Sequence, residues 1–419
     1  MSAAETHIEE WLQLGNTDTT LYIQDDQFIT TLPHIPETVQ RLAIYNCERL
    51  ALIPPLPTNL RHLQIDKCPL LETLPSIMPP RLFHCSIYVA SRISRLPTFS
   101  DHLSHLFIDG ASSLVRIDEL PSSLEELYVR NTPIRHLPVS LPPNLRKLVI
   151  PDGDLYELPP LPDCLDTLHF QSAHMRFLPR LPLSLRTLNV SNMIHLHELP
   201  AMLPPHLTEL YAKKTALTEL PTLPSTLRVL FVDSTPIREL PPHLQSLCDI
   251  SLAHTQIKSL PCLPQELFYL NIEDTPIKRL KAAQFINIDT PCVIKTHALS
   301  IEDFLSLPSN IRTIEFTNPD FHILDLPIHL YFTALGPFEK PPPIIKFKHN
   351  GTLVEIYPHP YSTPESLLEL EEIVEEEMAK EKARVINRTR IVKEELMIKT
   401  WHPSRVEDWC GVRFDVMDD

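Results

Sequence analysis

Three histidines recur at nearly equal spacing early in the chain, at His62, His84 and His105. If they occupy neighbouring strands, their imidazoles form a column that could supply nitrogen ligands to Zn²⁺. Such a column is a flat ladder, whereas zinc requires ligands that converge tetrahedrally, and no carboxylate or cysteine clearly completes the set. We therefore expect a solvated or pH-sensitive patch here rather than a metal site.

The other residue spacings do not match known catalytic arrangements. The sequence contains no nucleophile elbow, Gly-rich phosphate loop, His-Glu-x-x-His motif or paired catalytic carboxylates. Its eight cysteines are scattered without Cys-x-x-Cys pairs, which is typical of reduced, largely buried thiols in an intracellular compartment. We expect a protein that is not an enzyme and that needs no cofactor and no metal.

A repeated string of leucines and prolines dominates the chain and must position any functional surface. Its cleanest copy, from Leu220 to Pro241, reads Leu-Pro-x-Leu-Pro-x-x-Leu-x-x-Leu-x-Val-x-x-Thr-x-Ile-x-x-Leu-Pro. The prolines that close successive copies run from Pro33 to Pro261 and are most often 20 or 21 residues apart. Self-similarity at this period, with Leu at fixed offsets, predicts a leucine-rich-repeat solenoid.

Each unit predicts a short strand followed by an extended return limb. Leu230 and Val232 are two residues apart, so they point to one face of the strand, where stacked neighbours can bury them. The prolines lock φ and favour a polyproline-like convex side, which leaves short parallel strands to line the concave face. Because the chain has only six glycines, we expect these units to need no left-handed turns.

A threonine precedes the convex apolar residue in several units. In many leucine-rich repeats an asparagine near this turn bonds the backbone of the adjacent unit, and a threonine hydroxyl can make a weaker version of that bond. The column comprises Thr132, Thr215, Thr235, Thr255 and Thr275.

The two ends of the chain differ from the middle. A short helix with Ile8, Trp11 and Leu12 on one side predicts an N-terminal cap, and Asn350-Gly351 between two β-like runs predicts a hairpin. An apolar stripe over 364–400 predicts one long helix or a kinked pair, acidic first and basic later. We divide the chain into 1–31 (N-terminal helical cap and first strand), 32–330 (solenoid, regular to about 280 and degenerate after), 331–363 (Pro-rich connector and β-hairpin) and 364–419 (charged helix and Trp-containing tail).

On each strand, the residue between the two buried positions faces the concave side. Phe107 should neighbour Tyr128, and Tyr211 should neighbour Phe231, because adjacent strands lie ~4.8 Å apart. Aromatic side chains in a concave surface are typical anchors of protein interfaces, although they could instead merely cover the backbone. This column comprises Ala43, Gln64, Ser86, Phe107, Tyr128, Val149, His169, Asn189, Tyr211, Phe231, Ser251 and Asn271. The residues that we predict to contact a partner are Phe107, Tyr128, His169, Tyr211, Phe231, Tyr269, Arg130 and Lys213.

Charge and hydropathy narrow the kind of partner. The formal net charge is −16, from 53 acidic and 37 basic residues, which argues against a nucleic-acid or anionic-membrane binder. No apolar run approaches the ~18 residues that a membrane-spanning helix needs, and the acidic start does not resemble a signal peptide. These features indicate a protein partner in the cytoplasm.

The Leu-Pro-x-Leu-Pro unit resembles the repeat of bacterial type III effectors, the YopM, SspH and IpaH group, over about residues 32–280. It departs from that group in using Thr where most members have Asn. Some members carry a C-terminal ubiquitin-ligase domain with a catalytic Cys-x-Asp. The only Cys-x-Asp here is Cys164-Leu165-Asp166, which lies inside a repeat with Cys164 expected to be buried, so the resemblance does not imply ligase activity.

The C-terminal tail suggests a second resemblance. Trp401, Pro403, Arg405, Trp409 and Cys410 make a pattern similar to a short signature of giant double-stranded DNA virus proteins. The resulting hypothesis is a non-catalytic scaffold that binds a protein through its concave face, as a viral or host-directed accessory protein. It would act in host cytoplasm or in a virion. The alternatives are a structural component of a virus particle or other assembly, and the recognition subunit of a ubiquitin ligase.

Overall fold

The computed structural model describes residues 3–13, 19–242, 244–277, 292–296, 311–316, 344–349 and 352–356. Within those residues the chain forms one helix, α1 (Ala3–Gln13), and seventeen strands of a single sheet. The first nine strands are β1 (Thr20–Gln24), β2 (Arg41–Tyr45), β3 (His62–Asp66), β4 (His84–Tyr88), β5 (His105–Asp109), β6 (Glu126–Arg130), β7 (Lys147–Ile150), β8 (Thr167–Phe170) and β9 (Thr187–Asn189). The others are β10 (Glu209–Tyr211), β11 (Val229–Phe231), β12 (Asp249–Ser251), β13 (Tyr269–Asn271), β14 (Cys292–Thr296), β15 (Ile311–Phe316), β16 (Ile344–His349) and β17 (Thr352–Ile356).

Consecutive repeats stack side by side in the sheet. Each strand from β1 to β15 pairs in parallel with the next one. The core position of one unit therefore lies beside that of its neighbours, as where Leu230 lies between Leu210 and Ile250. The chain is a leucine-rich-repeat solenoid with parallel strands on its concave face, as predicted. Strands β16 and β17 pair antiparallel, which confirms the predicted hairpin.

The core lies directly behind the sheet. Each unit buries two strand residues, such as Leu63 with Ile65 and Leu230 with Val232, and these four side chains are fully inaccessible to solvent. The return limb closes over them with further leucines, including Leu227. Since one unit cannot cover its own apolar face, each repeat depends on its neighbours for burial.

Helix α1 covers the first strand, in the place where a solenoid needs a cap. Ile8 and Trp11 are buried against the first repeat, as predicted. Leu12 is 47% exposed, so the expectation that it shares this buried side is wrong. Trp11 follows Ile8 by almost one helical turn, whereas Leu12 is rotated by a further ~100° onto the flank of the helix.

Asp26 joins this helix to the turn after β1. Its buried carboxylate accepts a hydrogen bond from the backbone N–H of Ala4 at 3.0 Å. The same carboxylate accepts from the backbone N–H groups of Phe28 at 3.1 Å and Ile29 at 3.0 Å. A carboxylate in this position satisfies an unpaired N–H of the first helical turn and favours the helix dipole.

The turns that follow the strands contradict the expectation of a unit without left-handed residues. One residue per turn has a positive φ in most repeats, with values from 48° to 75°. The chain must reverse direction directly after each short strand, and its turns use mainly short polar or charged residues in place of Gly. These left-handed residues are Asp25, Asn46, Lys67, Val89, Gly110, Asn131, Asn192, Lys214, Ser234, His254 and Asp274.

The threonine column bonds its own unit and not the adjacent one. The hydroxyl of Thr235 donates to the carbonyl of Val232 at 2.7 Å, because the short side chain reaches only its own turn. The expected bond between repeats is therefore wrong. Thr132 differs, since its buried hydroxyl has no hydrogen-bond partner among the described residues. The bond to the carbonyl three residues earlier is repeated at Thr215, Thr255 and Thr275.

Several predicted features lie outside the described residues, namely the Pro-rich segment 336–343, the helix over 364–400 and the Trp-containing tail. The proposed division of the chain at 31, 330 and 363 consequently stays a prediction. In the part of the chain that the structure describes, no helix combines the length and apolar character needed to cross a membrane.

Val89 is the one β-branched residue among these left-handed turns, with φ of 49°, a conformation that disfavours β-branched side chains. We predict that Val89→Asn raises the free energy of unfolding by about 1 kcal/mol, because asparagine adopts this conformation with less strain. Urea denaturation followed by circular dichroism measures the change. The control is Val115→Asn, at an exposed valine without positive φ, which should bring no gain. A Val89→Asn protein no more stable than the parent would contradict strain at this turn.

Candidate protein-binding surface

Three columns of side chains cover the concave face, because every second residue of a strand points away from the core. The middle column lies between the two buried positions of each strand. The leading column precedes the first buried position, and the trailing column follows the second. The strand register aligns all the predicted middle-column residues in one line.

Sequence reasoning missed residues at both ends of the middle column. The register adds Tyr22 before Ala43, and Lys295 and Glu315 after Asn271. Tyr22 could have been found, because it lies between Leu21 and Ile23, two apolar residues with the spacing of buried strand positions. Lys295 and Glu315 lie beyond the regular spacing of leucines and prolines, so the repeat pattern did not point to them.

The first aromatic cluster occupies strands β3 to β6. The rings of Phe107 and Tyr128 stack with centroids 4.7 Å apart and planes inclined by 12°. His84 extends the stack, with its ring centroid 5.2 Å from that of Phe107. Phe83 directly precedes β4, and its ring centroid lies 5.1 Å from that of His105. The cluster is therefore a continuous ring surface that crosses four strands.

The three histidines of the leading column form the flat ladder that the spacing predicted. Successive ring centroids of His62, His84 and His105 are 5.9 Å apart. The Nε2 of His84 lies 2.7 Å from the hydroxyl of Ser86, so one ring nitrogen is already engaged. Burial, followed by the charges of its neighbours, lowers the pKa of His84, and burial also lowers the pKa of His62. The imidazoles of His62 and His84 consequently favour the neutral form.

The second aromatic cluster occupies strands β10 to β13. Tyr211 meets Phe231 edge to face, with centroids 5.4 Å apart and planes at 87°. The ring of Tyr269 lies 6.3 Å from that of Phe231. The ammonium of Lys213 is 4.5 Å above the Phe231 ring and pairs with Asp233 at 2.9 Å. Four of the predicted contact residues are thus gathered in one place.

The remaining predicted contact residues are distributed around these clusters. Arg130 ends β6 in the trailing column and is exposed beside the first cluster. His169 lies on β8 between the two clusters, and burial lowers the pKa of its imidazole. The two predicted aromatic pairs are in contact and lie at the centres of two clusters, about four strand spacings or ~19 Å apart. Their rings are half-buried because they stack on one another.

Cys164 is exposed, so the expectation of a buried thiol is wrong. Its neighbour Leu165 fills the core position and is fully buried, which turns the preceding side chain outward. The thiol donates to the carbonyls of Pro143 at 3.0 Å and Leu145 at 3.3 Å. The hydrogen-bond partners of this thiol are backbone carbonyl groups, which cannot act as a general base.

One group of possible metal ligands was not anticipated from the sequence. The donor atoms of His254, Glu273 and Asp274, in the turns after β12 and β13, all lie within 4.8 Å of one another. An ion pair between His254 and Asp274 at 3.1 Å accounts for much of this proximity. The sequence signal was weak, because the three residues come from two repeats.

The comparisons with known proteins agree with this class of fold. No family model matches the sequence. The structure is similar to YopM, a leucine-rich effector protein from Yersinia pestis, with 25% identity and a TM-score of 0.55 over 77% of this chain and 83% of that one. YopM from Yersinia enterocolitica WA-314 is similar with 24% identity and a TM-score of 0.50, over 75% and 76% of the two chains.

A plant protein shares part of the sequence. Disease resistance protein RRS1 of Arabidopsis thaliana is 31% identical over 156 residues, which is 36% of this chain. That segment amounts to only 10% of the length of RRS1. The likeness to YopM supports the resemblance of this solenoid to leucine-rich effector proteins.

The histidine ladder predicts a specific pH dependence of stability. In the folded chain the pKa of His62 and that of His84 lie below the ordinary value of 6.5. Protonation therefore favours the unfolded chain, and the free energy of unfolding should fall as the pH is lowered through 6.5. Each histidine can contribute at most about 1.4 kcal/mol per pH unit. Denaturant titrations between pH 8 and pH 5 measure this slope.

His84→Gln should reduce the slope, because it removes a proton-binding site and keeps a polar side chain at the ladder. His195→Gln, at an exposed histidine outside the concave face, is the matched control and should behave like the parent. A His84→Gln protein with the parental slope would show that the ladder does not control this pH dependence.

Proposed function

We propose that this chain is a non-catalytic recognition scaffold that binds a protein partner through its concave face. The two aromatic clusters on that face carry the proposal. Stacked, half-buried rings lose little side-chain entropy on binding and bury a large apolar area, which is why such residues anchor protein interfaces. Phe107 with Tyr128, and Tyr211 with Phe231, are the expected anchors.

The extent of the face favours a protein over a small ligand. From β5 to β13 the sheet crosses eight strand spacings, or ~38 Å. Small-molecule sites are enclosed clefts, whereas the ring clusters here lie on an open sheet with polar residues such as Asn189 and His169 between them. This arrangement of apolar anchors in polar surroundings is that of a protein interface.

The biological setting is a further part of the proposal. The YopM likeness supports a host-directed effector that acts in the cytoplasm, and the tail from Trp401 to Cys410 supports a viral accessory protein. The net charge of −16 favours a protein partner over nucleic acid. If the viral resemblance holds, a structural component of a particle is the second candidate. A ubiquitin-ligase recognition subunit is the third, without catalysis by Cys164.

Affinity capture with mass spectrometry from native cells, followed by affinity measurement with the purified partner, tests this function. We predict that Phe107→Ala with Tyr128→Ala, and separately Tyr211→Ala with Phe231→Ala, each weaken one dominant partner by at least about 2 kcal/mol, because each pair removes an interface anchor. Circular dichroism verifies that the variants are folded.

The matched control replaces two aromatic residues outside the concave face. Phe177 and Tyr156 are 60% and 42% exposed on the return limbs, and Phe177→Ala with Tyr156→Ala should leave the partner bound. Loss of the partner only in this control would contradict the proposal and assign binding to the return limbs. Co-purification in fixed stoichiometry with particle proteins, unaffected by any of the variants, would favour the structural role.

A further inference from the structure

Asp249 is a carboxylate on the concave face that has no ion pair among the described residues, unlike Asp233 and Glu315 nearby. Asp249 begins β12 in the leading column, with Val229 on one side and Tyr269 on the other. No side-chain hydrogen bond or ion pair links Asp249 to another residue in the described part of the chain. Burial raises the pKa of its carboxyl group, which is consistent with an apolar surrounding that offers no cation.

The nearby cations are already engaged with other acids. The ammonium of Lys213 is 2.9 Å from a carboxylate oxygen of Asp233. On the other side, Lys295 pairs with Glu315 at 3.0 Å. Both ion pairs lie in or next to the middle column, and neither includes Asp249. Asp249 is thus among the described acidic residues that the lysines of this part of the face leave without an ion pair.

Aromatic rings stand on both sides of this strand. Phe231 on β11 and Tyr269 on β13 approach to 6.3 Å between ring centroids, so they meet across β12. The residue of β12 that lies between them in the middle column is Ser251, whose small side chain is buried and donates to Asp233. Asp249 lies on the strand between those that carry the two rings, and Tyr269 is its direct register neighbour on β13.

We propose that Phe231, Tyr269 and Asp249 form a binding site for a cationic side chain, an arginine or a lysine, of a protein partner. A guanidinium or ammonium group is attracted to the face of an aromatic ring and to a carboxylate at the same time. Lys213, at 4.5 Å from the Phe231 ring, shows that this ring already accepts a cation on one side. The inference rests on the proposed function, because it names the chemistry of the partner at the second cluster.

The charge balance of this end of the face agrees with a basic partner. Among the described residues in the columns of β10 to β15, five are acidic and two are basic. This excess of negative charge would repel an acidic ligand and attract a basic one. The residues counted are Glu209, Asp233, Asp249, Glu273 and Glu315 against Lys213 and Lys295.

Nuclear magnetic resonance on the full chain with ring-labelled tyrosine tests the site directly. The chain has ten tyrosines, and Tyr→Phe variants assign the signals of Tyr211 and Tyr269. The probes are the acetylated, amidated tripeptide Gly-Arg-Gly and its neutral isostere Gly-citrulline-Gly. The arginine peptide should shift the Tyr269 signal with a midpoint near the millimolar range, about 1 mM, and the citrulline peptide should not.

Asp249→Asn removes the charge with little change of shape, and it should weaken the arginine peptide roughly three- to fivefold. The control Asp66→Asn makes the same change in the trailing column of β3 and should bind as the parent does. Equal shifts from the two peptides, or equal weakening by both substitutions, would overturn the proposal. An arginine peptide that leaves Tyr269 unshifted would overturn it too.

These outcomes are separable from those of the partner capture. One outcome is that the partner is lost on Tyr211→Ala with Phe231→Ala while Asp249→Asn binds the arginine peptide as the parent does. In that case the proposed site for a cationic side chain is wrong, and the proposed recognition function stands. If the peptide binds as expected while the concave variants keep every partner, the site exists and the proposed function is wrong.

Discussion

The structure depends on burying each repeat against the next one in strict parallel register. A unit such as the one around Leu230 and Val232 has an apolar face that it cannot cover by itself. Stacking at the ~4.8 Å strand spacing covers this face, and it leaves only the first and last units unpaired. Helix α1 and the buried carboxylate of Asp26 cover the first unit. The left-handed turns follow from the same constraint, because the chain must reverse direction directly after each short strand.

The same register that builds the core also builds the candidate interface. When the buried residues of successive units form ladders, the residues between them must form ladders on the opposite face. Phe107 stacks on Tyr128, and Tyr211 meets Phe231, because a strand spacing close to ring-stacking distance brings equivalent positions together. Half-buried rings on an open sheet are ordered before a partner arrives, so that little conformational entropy is lost on binding. The scaffold thereby converts a repeat pattern into a preorganised surface.

The sequence was sufficient for the architecture and for the middle column of the regular repeats, because both follow from two short periods. The spacing of 20 or 21 residues predicts the stacking, and the alternation within a strand predicts which residues face outward. The sequence did not predict hydrogen-bond partners and side-chain exposures that depend on side-chain reach or on a turn conformation. Thr235 bonds its own turn, and Cys164 points outward beside the buried Leu165. Left-handed residues such as Asn46 were missed because few glycines suggested their absence.

The proposed site for a cationic side chain is a second example of a feature that spacing does not predict. Tyr269 belongs to the leading column and Phe231 to the middle column, two strands away, so a column-by-column interpretation does not pair them. Their approach depends on rotamers and on the small Ser251 between them. The charge pairing that leaves Asp249 without a partner depends on which lysine reaches which carboxylate. Neither property can be obtained from spacing alone.

Hydroxyl-radical footprinting of the chain with its captured partner tests the central claim that the concave face is the binding surface. The account predicts that Phe107, Tyr128, Tyr211 and Phe231 lose reactivity in the complex. The exposed return-limb side chains Phe28, Ile77, Phe177 and Met202 should keep theirs. Protection of the return limbs, with unchanged reactivity of the concave rings, would contradict it.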